Sequence, residues 1–119
     1  MPKVLIVDDS PASLQLMAMT LQRNGFAVLT AAQGDDVVAT AVRERADLVV
    51  LDIVLPGQNG FQLCRHLKQD DRTRAIPVVL VSSKNTTLDK QWGLRQGAAA
   101  YLVKPFQPEE FLDCVQRLL

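Results

Sequence analysis

The stretch "LVVLD", residues 48–52, carries four consecutive apolar residues and ends on a carboxylate. A strand with one solvated face alternates apolar and polar residues; this one does not, so both of its faces must be covered. The run "VVLV" at 78–81 has the same character. Working outward, further short apolar runs stand at Val4–Val7, Phe26–Thr30 and Tyr101–Val103, giving five at near-regular intervals. Inner strands of this kind belong to a parallel sheet, and parallel strands need helical crossovers between them.

The segments between the runs supply those helices. Ser10 can cap the first, with Pro11 at its first position, Leu14, Met17 and Leu21 as its apolar stripe and Gly25 at its end. The second spans about Asp35 to Glu44 and turns Val38, Ala41 and Val42 inward. The third follows Asn59-Gly60 and uses Phe61, Leu63, Cys64 and Leu67. The fourth, about Thr86 to Gln96, is more polar, carries Leu88 and Trp92 one turn apart and stops at Gly97. The fifth starts at Gln107-Pro108-Glu109-Glu110 and packs Phe111, Leu112, Val115 and Leu118. Five β-α units in succession predict an α/β fold: a doubly wound, five-stranded parallel sheet with helices on both faces and right-handed crossovers.

A length of 119 residues suits a single domain spanning 1–119, and 48% hydrophobic residues give it a core. Lys plus Arg and Asp plus Glu number 13 each, so the formal net charge is zero and no basic stripe marks a nucleic-acid surface. No segment has the length and apolarity of a membrane span or the pattern of a signal peptide, so the expected setting is cytoplasmic. Cys64 and Cys114 lie far apart without a CxxC pattern and read as reduced, small apolar side chains. His66 has no ligand partner one turn away and reads as a surface helix residue.

The chemistry sits at the carboxyl ends of the strands, where open α/β sheets bind ligands. The first strand ends in Asp8-Asp9, the third in Asp52, the fourth in Ser82-Ser83 and the fifth in Lys104-Pro105. Two carboxylates about 4 Å apart repel by roughly 4 kcal/mol at an effective dielectric near 20, so three on one edge require a cation or protonation. With no His or Cys among them, the donors are hard oxygens suited to Mg²⁺ or Mn²⁺. Lys104 adds a positive charge for phosphoryl oxygens, and Ser82 a hydroxyl. Asp52 ends the most buried run, before Leu55-Pro56-Gly57, and is the favoured nucleophile for aspartyl-phosphate chemistry. Each Asp taken singly could be a helix cap; five such side chains on one edge are poorly explained that way.

In order, spacing and element, Asp8-Asp9, Asp52 followed by Leu55-Pro56 and Gly60, Ser82 and Lys104-Pro105 resemble the CheY-like receiver domain of two-component response regulators. The resemblance covers essentially the whole chain and implies the flavodoxin-like strand order 2-1-3-4-5. It further implies that Asp52 accepts a phosphoryl group from a sensor histidine kinase, a phosphotransfer protein or a small phosphodonor. By the same resemblance Asp9, Asp52 and the Val54 backbone carbonyl bind Mg²⁺, Asp8 acts through a water, and Lys104, aimed by a cis bond to Pro105, offsets phosphoryl charge. Ser82 then swings toward the phosphoryl group and Tyr101 rotates inward. Together they remodel the face of the fourth helix, fifth strand and fifth helix for a downstream protein. Val54 and Lys84 stand where the family tunes hydrolysis, and Val54, unable to orient a water, implies slow self-dephosphorylation. Ser83 stands where a smaller residue is common and narrows access. Trp92-Gly93-Leu94-Arg95-Gln96-Gly97-Ala98 is similar to stand-alone receivers of pilus-motility and phototaxis pathways; Trp92 by itself reads as a half-buried packing residue.

On this reading the chain is not an enzyme beyond gaining and losing its own phosphoryl group. Two other functions compete. A Mg²⁺-dependent aspartyl-phosphate phosphatase would want a second acid where Val54 stands, and a phosphorylation-independent interaction module would not need Asp8, Asp9, Asp52 and Lys104 together. A nucleotide-binding protein would need a P-loop or GxGxxG, and neither is present.

Overall fold

A computed structural model describes residues 1–119. In chain order the elements are β1 (Lys3–Val7), α1 (Pro11–Gln22), β2 (Ala27–Ala31), α2 (Val37–Glu44), β3 (Leu48–Asp52), β4 (Val54–Leu55), β5 (Gln58–Asn59), α3 (Gly60–Gln69), β6 (Val78–Ser82), α4 (Thr87–Arg95), β7 (Ala100–Val103) and α5 (Pro108–Leu118). The main sheet runs β2-β1-β3-β6-β7, every neighbouring pair parallel. Leaving aside the β4–β5 hairpin, which stands outside that sheet, this is the 2-1-3-4-5 order of the flavodoxin-like fold.

The unbroken apolar runs are explained by the two cores. Val4, Ile6, Leu48, Val50, Val79 and Val81 point to one face, where Met17 and Leu21 of α1 and Phe111 and Val115 of α5 cover them. Leu5, Val7, Val49, Leu51, Val78 and Leu80 point to the other, under Val37 and Ala41 of α2 and Phe61, Leu63, Cys64 and Leu67 of α3. All five residues of β3 and of β6 are buried. Strand order reverses between β1 and β3, which run parallel, and the crevice beyond their carboxyl ends is where Asp8 and Asp52 emerge.

Three local readings need correction. β2 starts one residue later than expected, at Ala27. α2 begins at Val37, not at the acids before it, because Asp36 adopts φ +55°, ψ +35°, which cannot continue into a right-handed helix. The segment after Asp52 is a two-rung hairpin, Val54 opposite Asn59 and Leu55 opposite Gln58, turned by Pro56 and by Gly57 at φ +67°. Helix caps match the sequence: Ser10 Oγ accepts from Ser13 N–H at 3.3 Å, and Pro108 opens α5. Cys64 is buried, Cys114 half-buried, and neither is bonded to the other; His66 is exposed on α3. No helix is long and apolar enough to cross a membrane.

Candidate functional site

Asp8 continues directly from β1: its N–H donates to Ala31 O at 3.0 Å, and the residue is fully buried. One carboxylate oxygen, Oδ1, accepts from Ser10 N–H at 2.9 Å, at the start of α1. The other, Oδ2, accepts from Lys104 Nζ at 2.6 Å. Asp9 turns outward and is exposed. Asp52 closes β3, buried; its Oδ1 accepts from Val54 N–H at 3.0 Å and its Oδ2 from Lys104 Nζ at 3.1 Å. Oxygens of Asp8, Asp9 and Asp52 lie within 4.8 Å of one another. The five-stranded frame thus brings together carboxylates 44 residues apart in sequence and an ammonium 96 residues from the first.

Lys104 reaches this position from the end of β7, where its N–H donates to Ser82 O at 2.8 Å and its bond to Pro105 is cis. Gly60 permits the tight return of the hairpin: a Cβ there would collide with the Asp52 carbonyl oxygen and Ile53 Cα, while Gly60 N–H donates to Ile53 O at 2.8 Å. Burial is the strongest influence on Asp52 and lifts its carboxyl above the ordinary value, with the Asp8 charge adding to the rise; the Val54 N–H and Lys104 pull the other way. Burial likewise works against the Lys104 charge. Its hydrogen bonds to Asp8 and Asp52 outweigh that, so the ammonium is held above the ordinary lysine value.

Ser82, buried at the end of β6, accepts at Oγ from Lys84 N–H at 3.1 Å. Tyr101 is half-buried, and its hydroxyl donates to Lys84 O at 2.8 Å. Burial raises the Tyr101 phenol pKa, the Ser82 hydroxyl opposes the rise, and the charges of Asp89 and Asp52 add to it. Ser82, Lys84 and Tyr101 therefore form one chain from the site to the loop before α4. Ser83 is exposed and lines a cavity of about 360 Å³ with Lys104, Ser13, Leu16, Pro105 and Phe106. Val54 places an exposed side chain on β4, two residues after Asp52. Trp92 is 45% exposed, half-buried as the sequence reading has it, while Leu88 one turn before it is 74% exposed. Sequence reasoning missed Gln58, whose side chain ties the hairpin to the β2–α2 loop; the Pro56-Gly57 turn was the one signal that a hairpin stood there.

Three carboxylates facing one ammonium leave a formal charge of −2, so the site has room in its charge balance for a dication. The donors are oxygens throughout, which fits Mg²⁺ and not zinc.

Comparison with known proteins bears on this arrangement. A family profile described as response regulator receiver domain matches residues 4–116. Protein PilH of Pseudomonas aeruginosa is 46% identical over 119 residues, which is all of this chain and 98% of PilH. The DNA-binding dual master transcriptional regulator RpaA of Synechocystis is 41% identical over 119 residues, 100% of this chain and 49% of its own. The alkaline phosphatase synthesis transcriptional regulatory protein PhoP of Bacillus subtilis is 36% identical over 117 residues, 98% of this chain and 48% of its own. The chain spans about half the length of those two regulators. The solved structure of the chemotaxis response regulator CheY4 of Vibrio cholerae matches with a TM-score of 0.92 and 36% identity, over 100% of this chain and 99% of that one.

Proposed function

The chain belongs to the response-regulator receiver family and is a response regulator of two-component signalling, and from that premise we propose that Asp52 is its phosphoacceptor. The whole of residues 1–119 then works as one receiver domain, in the cytoplasm. Receiver domains exchange phosphoryl groups with histidine kinases or phosphotransfer proteins and act on downstream targets. Here an Asp52 carboxylate oxygen forms a new O–P bond while the donor's N–P bond, in a phosphohistidine, or O–P bond, in a small acyl phosphate, breaks. The bonding pair leaves with the donor.

Asp8, Asp9, Asp52 and the Val54 carbonyl are the groups that would hold Mg²⁺. When bound, the ion offsets charge on the phosphoryl oxygens during transfer. The protein's own part is to keep Asp52 oriented by the Val54 N–H and to hold a positive charge beside it. Lys104 already sits on Asp52 and moves part of its hydrogen bonding to a phosphoryl oxygen once the carboxylate carries the phosphoryl group. Ser82 exchanges its bond from Lys84 N–H for one to the phosphoryl group, which draws the 83–86 loop and, through Lys84 O, the Tyr101 hydroxyl. The face made by α4, β7 and α5 is the surface we assign to the downstream protein. Val54 offers no group to orient an attacking water, so the acyl phosphate is slow to hydrolyse.

The observation that carries this reading is the placement of Lys104 Nζ 2.6 Å from Asp8 and 3.1 Å from Asp52, with the Asp9 carboxylate alongside. Incubation with acetyl phosphate and Mg²⁺ followed by intact mass tests it. One added phosphoryl group, lost in Asp52→Asn and on removal of Mg²⁺, is expected. Continuous phosphate release from unrelated monoesters would point to a phosphatase, and no mass change to an unphosphorylated module.

A further inference from the structure

Gln58 joins two loops that backbone bonds do not. From β5 its Oε1 accepts from Gly34 N–H at 2.7 Å, and its Nε2 donates to Asp35 Oδ1 at 2.6 Å. Gly34 is itself buried, and a Cβ on it would collide with Leu63 Cδ1 of α3, so the β2–α2 loop is seated hard against the hairpin and the start of α3. On the other side, Gln58 pairs with Leu55 in the two-rung ladder, next to Val54, whose N–H holds Asp52 Oδ1. A hairpin of two rungs has little stability of its own. Its base is closed by Gly60 N–H on Ile53 O, and Gln58 is the side chain that fixes its far end.

We propose that Gln58 is a positioning residue for the Asp52 chemistry: by clamping the β4–β5 hairpin to Gly34 and Asp35, it keeps Val54 in place against the Asp52 carboxylate. The inference rests on Asp52 being the phosphoacceptor. The clamp needs an acceptor and a donor on one planar group, which an amide supplies. Leucine at 58 supplies neither and leaves the buried Gly34 N–H without a partner. Glutamate still accepts from Gly34 but faces the Asp35 carboxylate. Exchanging the two groups, with glutamate at 58 and asparagine at 35, restores both bonds with the donor reversed.

Wild type, Gln58→Leu, Gln58→Glu, Asp35→Asn and the double variant are compared by the rate of phosphorylation from acetyl phosphate, read by intact mass. Mg²⁺ affinity is measured separately by calorimetry with no phosphodonor present. Groups that orient a ligand from behind are worth about 10–100-fold; from one step further out, Gln58→Leu and Gln58→Glu are expected to react about 3–10-fold more slowly and to bind Mg²⁺ about 3-fold more weakly. Asp35→Asn, which still accepts, stays near wild type, and the double variant returns to within about 2-fold of it. Gln58→Leu and Gln58→Glu matching wild type in both measurements would overturn the clamp, as would a double variant no faster than Gln58→Glu. If Gln58→Leu does not fold, the exchange pair decides. A wild-type chain that takes up no phosphoryl group would overturn the functional reading instead, and the Mg²⁺ titrations then judge the clamp alone.

Discussion

Helix α3 buries Phe61, Leu63, Cys64 and Leu67 within ten residues, whereas the nine residues of α4 bury only Gly93. Leu88 is 74% exposed, Leu94 51% and Trp92 45%. Gly93 is the point where α4 meets the sheet, and a Cβ there would press on Tyr101 and Leu80. Otherwise α4 is held by its ends. Thr86 and Asp89 form a reciprocal cap, with Thr86 Oγ1 accepting from Asp89 N–H at 3.1 Å. Gln96, at the far end, accepts at Oε1 from Arg65 Nε at 2.7 Å and at its carbonyl from the Cys64 thiol at 3.7 Å. An element held by caps and loop contacts opens or shifts at lower cost than one held by apolar burial. The loop leading into α4 is the one that Ser82 and Tyr101 touch through Lys84, so the element next to the proposed switch is also the loosely packed one.

Truncating the packed helix should have the largest effect. Leu67→Ala removes a fully buried side chain from the α3 core and is expected to lower unfolding free energy by about 2–5 kcal/mol in urea titrations. A loss below about 1 kcal/mol would undo the contrast between the helices.

Cys64 tests the same packing through protons. Burial, against a small opposing effect of Lys68, pushes the folded thiol up to about 11, from 9.0 for an ordinary one. Above the unfolded value the unfolded chain releases a proton that the folded chain keeps, so stability falls as pH rises, by about 2 kcal/mol around pH 10.5. The stabilising contribution is complete below that unfolded value. Cys64→Ala should show a shallower decline over the same range; an identical slope would show that burial is not holding the proton.

The remaining effects belong to α4. Thr86→Ala removes its cap and should cost about 1 kcal/mol, with faster amide hydrogen exchange confined to α4. Leu88→Ala, at an exposed position, should change stability by no more than about 0.5 kcal/mol. A larger loss would mean that α4 is packed after all.

The two helices also differ in how legible they were. In α3 the spacing of Phe61, Leu63, Cys64 and Leu67 named the buried face, because amphipathic periodicity records packing. In α4 the Leu88–Trp92 spacing invited the same reading, yet one turn of apolar side chains looks alike whether it faces a core or water. The inner strands β1, β3 and β6 were legible because two-sided burial leaves unbroken apolar runs, and the less buried edge strands β2 and β7 were found as apolar runs at the same interval; a two-residue strand such as Val54–Leu55 leaves no such record. Asp36 escaped notice because a left-handed aspartate looks, in sequence, like the first residue of a helix. At the site, Asp8, Asp9, Asp52 and Lys104 were readable as charges on one edge. Their strand order came from the family resemblance, and the distances needed the fold. Gln58 was hidden because an amide between two loops has no pattern.

Chemical trapping of the modified residue tests the account most directly. Borohydride reduces an aspartyl phosphate to homoserine, so protein treated with acetyl phosphate and Mg²⁺, reduced and digested, should carry homoserine at position 52 and nowhere else. Homoserine at Asp8 or Asp9, or an Asp52 peptide left unchanged under conditions where the intact protein gains a phosphoryl group, would contradict it.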